Sequence, residues 1–201
     1  MIPQGRLSTR PVIGELIGAR ASGLLTPTFD LSDGGIALND GTEGLLYQTW
    51  SCTAKPDGIY IKADNATEQK VIDIPNVSEC SLCFDANMDY LIAYTANGES
   101  VIDWFSGSAG GRVQTSIDGS NLKLIFDEPR TGVESPGEAL LFYVREGELF
   151  CRRQTNRFID EYSLGGSIES EGQLYEIEQL LRVAHANNFR LHFECKYRLP
   201  E

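Results

Sequence analysis

Cys80 and Cys83 form a C-x2-C pair, the spacing at which two thiolates grip one zinc ion. A structural zinc site needs four ligands, and no second Cys or His pair stands at a matching spacing, so no metal is expected here. If both lie on one strand, the odd offset sends their side chains to opposite faces, and two small buried hydrophobes is the simpler account. Asp85-Ala86-Asn87-Met88-Asp89 copies the first half of an EF-hand loop. The second half departs from it: Tyr90 occupies the position that requires Gly, and Ala96 the position that requires a bidentate Glu. A polar hairpin connector is expected, and a calcium site of another kind on this loop stays open.

Neither His185 nor His192 has the Ser, Cys or Asp arrangement of a nucleophilic triad. Among 29 acidic residues nothing singles out the facing carboxylate pair of a glycosidase. No catalytic, metal-binding or cofactor-binding residue is therefore assigned, no cofactor is expected, and the expectation is a protein that is not an enzyme. Two aromatic residues, Trp50 and Trp104, could face a ligand and stack on sugar rings, although aromatics in strands more often fill a core. Arg152, Arg153 and Arg157 crowd together near Asp160 and Glu161, where a solvated or inter-subunit salt-bridge cluster outweighs a phosphate site.

The elements that must position these residues read as strands. Short apolar or alternating runs recur between turn signals from Gly44 onward, the pattern of an all-β domain. Lys55-Pro56-Asp57 separates Leu45–Ala54 from Gly58–Ala63, and Asn97-Gly98 separates Tyr90–Tyr94 from Val101–Phe105. The second pair of turn residues suits a type I′ hairpin. Val71–Ile74, Cys80–Phe84, Val113–Ile117, Leu122–Phe126, Ala139–Val144 and Glu148–Arg153 continue the series. Ala139–Val144 is apolar on both faces, as a central strand would be. Leu174, Ile177, Leu180, Leu181 and Ala184 share a helical face, which predicts one short C-terminal helix within Gly172–Ala186; Phe189 to Cys195 then alternate as a final strand.

The fold expectation is mainly β: an antiparallel sandwich, barrel or propeller-like body of ten to twelve strands over residues 44–201, preceded by an extended N-terminal arm over residues 1–43. Pro3, Pro11 and Pro27, with four glycines before residue 24, punctuate that arm. It carries Arg6, Arg10 and Arg20 against Glu15, and these arginines are candidate inter-subunit contacts. Asp30 to Asp103, by contrast, holds thirteen acids against Lys55, Lys62 and Lys70. The net charge of −12 disfavours nucleic acid and anionic membrane as partners. No apolar run approaches the roughly 20 residues that span a bilayer, so membrane insertion is not expected. Five thinly spread cysteines fit a reducing compartment and synthesis in a cytoplasm.

Ala139–Leu164 (ALLFYVREGELFCRRQTNRFIDEYSL) resembles a stretch found in virion structural proteins of tailed bacteriophages. The matching residues are Leu141, Tyr143, Arg145, Gly147, Leu149, Arg153, Gln154, Arg157, Phe158, Glu161, Tyr162 and Leu164. Asn156 stands where Asp is usual, and Cys151 where an aromatic is usual. Pro27–Trp50, Val77–Ala93 and Leu181–Phe193 are similar to further pieces of the same proteins. The resemblance implies a structural subunit of the virion, in the tail, tail tip or baseplate, and brings no catalytic residues with it. A homo-oligomer of threefold or sixfold symmetry, in contact with other tail proteins, is the expected assembly. A receptor- or carbohydrate-binding module at the tail tip is the alternative.

Overall fold

A computed structural model of the chain describes residues 4–9, 34–37, 48–63, 66–85, 87, 89–127, 137–186 and 190–200. Sixteen strands run through them in chain order: β1 Gln4–Thr9, β2 Gly34–Ala37, β3 Gln48–Lys55, β4 Gly58–Ala63, β5 Gln69–Ile72, β6 Val77–Phe84, β7 Tyr90–Ala96, β8 Glu99–Ser106, β9 Gly111–Ile117, β10 Ser120–Asp127, β11 Glu138–Arg145, β12 Glu148–Arg153, β13 Glu161–Gly165, β14 Ile168–Ser170, β15 Gln173–Ala186 and β16 Arg190–Arg198. A 3-10 turn at Gln154–Asn156 follows β12. All recorded pairings are antiparallel, and they form four separate four-stranded sheets.

The first three sheets are successive meanders, β2–β5, β6–β9 and β10–β13; the fourth is β14-β15-β16, completed by β1 from the other end of the chain. Short-range turn chemistry fixes this order. Asn97 (φ 53°) and Gly98 (φ 81°) turn β7 into β8, and Glu146 (φ 49°) with Gly147 (φ 78°) does the same between β11 and β12. Both pairs have the positive φ at each central residue that matches strand twist in a two-residue hairpin. No barrel closes among the described residues.

The sheets stack face to face with three apolar layers between them, so the second and third sheets are buried on both faces. β11 shows the logic residue by residue. Ala139, Leu141 and Tyr143 join the layer against the second sheet, with Leu91, Ile102 and Trp104. Leu140, Phe142 and Val144 join the layer against the fourth, with Ile177, Leu180 and Phe193. A third layer, holding Cys52, Ile59, Leu82 and Ile92, joins the first and second sheets. The apolar-on-both-faces run at 139–144 is thus a central strand, as expected.

Neighbouring sheets also meet through polar groups at their first strands. β10 is an edge, and its backbone donors are received by side chains of β6. Leu124 N–H donates to Ser81 Oγ at 3.0 Å, while Asn121 and Leu122 N–H donate to the Glu79 carboxylate at 3.0 and 3.1 Å. An edge strand that would otherwise invite pairing is closed this way.

Two expectations are corrected. Gln173–Ala186 is a strand of 14 residues and not a helix. Its pairing with β16 shifts register between Ile177 and Gln179 and again between Leu180 and Arg182. Each bulge inserts one residue, so Ile177, Leu180 and Val183 land on one face at a spacing of three, which imitates helical periodicity. All three are 1% exposed, whereas Leu174 of the supposed helical face is 56% exposed. The strand count is also higher than ten to twelve, because β13, β14 and β15 were not foreseen. Of residues 1–43, the described segments 4–9 and 34–37 are strands of the fourth and first sheets, and the rest of the expected arm lies outside the described residues.

Candidate functional site

The resembling stretch folds into β11, β12, the 3-10 turn and β13, and its polar residues gather in two clusters. The first is built on Glu161 at the start of β13. Arg145 grips its carboxylate with two nitrogens, at 2.5 and 3.1 Å, Arg152 adds a bond at 3.3 Å, and the Tyr143 hydroxyl donates to the same group. Arg152 also donates to the Tyr143 hydroxyl at 3.0 Å and to the Ser116 and Phe158 carbonyls at 3.1 Å each, which ties the second sheet to the third. The Arg145 guanidinium lies 4.2 Å from the centre of the Phe150 ring, which itself stacks on Tyr143. Burial, then the hydrogen bond to Glu161, pushes the Tyr143 hydroxyl above its ordinary range. Burial alone would raise Glu161, but the bonds from Tyr143 and Arg145 outweigh it and hold the carboxyl below its ordinary value.

The second cluster lies at the other end of the same strands. Glu138, 4% exposed, receives Arg153 and the Thr155 backbone and hydroxyl, the last two at 3.0 and 2.6 Å. Gln154 accepts the Ala139 N–H at 3.1 Å and donates to Asp85 of the second sheet at 2.9 Å. The other Asp85 oxygen takes the N–H groups of Asn87 and Asp89 at 2.8 and 3.0 Å. Both oxygens of that carboxylate therefore shape the β6–β7 loop and join it to the next sheet. This is the polar hairpin connector read from the sequence. Among the described residues no group of three or more His, Cys, Asp and Glu gathers as metal donors.

Comparison of the chain with protein-family models, with curated proteins and with solved structures finds no match. The two clusters must then be judged on their own chemistry. A reacting group needs an unshared lone pair, a proton poised to move, or a cavity in which substrate can sit. Here Glu161 and Glu138 are engaged by several donors each, and Tyr143 holds its proton against Glu161. The bonds tie strands and sheets together.

The residues singled out by spacing are dispersed. Cys80 packs on the layer toward the first sheet and Cys83 on the layer toward the third, so the pair cannot chelate one ion. Burial pushes the Cys83 and Cys151 thiols up, and Cys195 up to about 12, which leaves them protonated at neutral pH. Trp104, 6% exposed, packs edge-on against Phe158 with ring centres 5.6 Å apart, so it presents no face to a ligand. Trp50 is half-buried and tilts against Phe84. Arg6 stands opposite Glu194 in the β1–β16 register, while Arg10 and Arg20 lie outside the described residues. His192 is half-buried on β16, and the His185 side chain is outside the described residues. Of the arginine group, Arg152 and Arg153 are built into the two clusters, and Arg157 is exposed.

Sequence reasoning missed Glu138, Glu79, Ser81 and Gln154 as organising residues. Glu79 and Ser81 bond partners more than forty positions away, and Gln154 bonds Asp85 across 69. The signal that could have flagged Glu138 is its place at the head of an otherwise apolar run, where a carboxylate must find a partner.

Proposed function

We propose that the chain is a structural, non-enzymatic subunit of a bacteriophage virion, in the tail, tail tip or baseplate, and that it works by holding subunit contacts. The observation that carries the reading is the fate of the polar residues in the resembling stretch. Tyr143, Arg145, Arg152 and Glu161 bond to one another, Arg153 pairs with Glu138 at the head of β11, and Gln154 and Arg152 reach the second sheet at Asp85 and at the Ser116 carbonyl, as side chains of a scaffold do. The sheet order agrees: three sequential meanders and a fourth sheet completed by β1 have the arrangement of propeller blades. We therefore take the propeller-like form of the three forms open to the sequence. Rigid β bodies of this kind suit symmetric assemblies. The tail-tip receptor-binding alternative has less support, because Trp104 is in the core.

The test is particle composition. Phage particles released from the organism that encodes the chain are purified on a density gradient and analysed by quantitative mass spectrometry. The reading expects the chain to band with the particles in multiple copies per particle and to remain with tails when heads are removed. Absence from the particles contradicts the virion reading, and retention with heads alone contradicts the tail.

A further inference from the structure

We draw no further inference here: the strongest candidate, the surface patch on β8 and β9 of the second sheet where Arg112 stacks on Tyr90 beside the exposed Phe105 and bonds Asp103 with Gln114, carries nothing, because nothing in the structure shows what covers it.

Discussion

The first and third sheets carry the same kind of side-chain group in different surroundings. On the third, Tyr143, Phe150, Arg145, Arg152 and Glu161 join aromatic rings, cations and a carboxylate between two packed sheets. On the first, Tyr60 lies beneath Lys55 at 4.4 Å and Lys70 at 6.0 Å, its hydroxyl donates to Asp57 at 2.8 Å, and Lys55 pairs with Glu68. That group faces solvent, where screening and side-chain entropy cancel most of the attraction. Chemistry alone does not set what such a cluster contributes. The presence of a neighbouring sheet does.

The largest expected effect sets the two sheets apart most sharply. Phe142, 2% exposed and edge-on to Phe193 at 4.9 Å, belongs to a strand buried on both faces. Phe142→Ala should cost about 3–5 kcal/mol in urea unfolding, cavity included. A cost under about 1 kcal/mol would mean that the third and fourth sheets do not pack as described.

Acid should separate the two clusters next. The folded carboxyl of Glu161 titrates below the 4.5 of a free glutamate, so its stabilisation is complete above that value and is lost as pH falls through the folded one. The native chain should lose more stability than Glu161→Gln on going from neutral pH to below 4.5. Parallel curves for the two proteins would place the cluster outside the energetics of folding. The smallest effect belongs to the first sheet: Lys70→Met removes contacts to Asp57 and Asp73 in solvent and should leave the thermal midpoint where it is. A clear fall would show that this face is covered in solution.

Much of the fold was legible where the governing interactions are local. Asn97-Gly98 encodes its own turn, and the doubly apolar run at 139–144 encodes its central place. The separation of Cys80 from Cys83 follows from strand alternation alone. β13 was missed because its Glu-Tyr-Ser-Leu-Gly sequence lies on an edge with little apolar content. β15 was misread because two bulges turn a strand's period of two into a spacing of three. The candidate site was the least legible part. Its acidic and basic residues are visible in any sequence, but which acid meets which base depends on sheets stacking, and no local rule reports that.

On the proposed function, the polar residues of the third sheet hold the fold together and are not held ready for a substrate. Residues kept for catalysis commonly cost stability, so replacing them leaves a protein equally or more stable. Urea unfolding of Glu138→Gln tests the claim directly, since that side chain is 5% exposed and binds Arg153 and Thr155. The predicted result is a loss of about 2 kcal/mol with the folded spectrum retained, because a half-buried guanidinium loses its counter-charge. An unchanged or raised unfolding midpoint would contradict it.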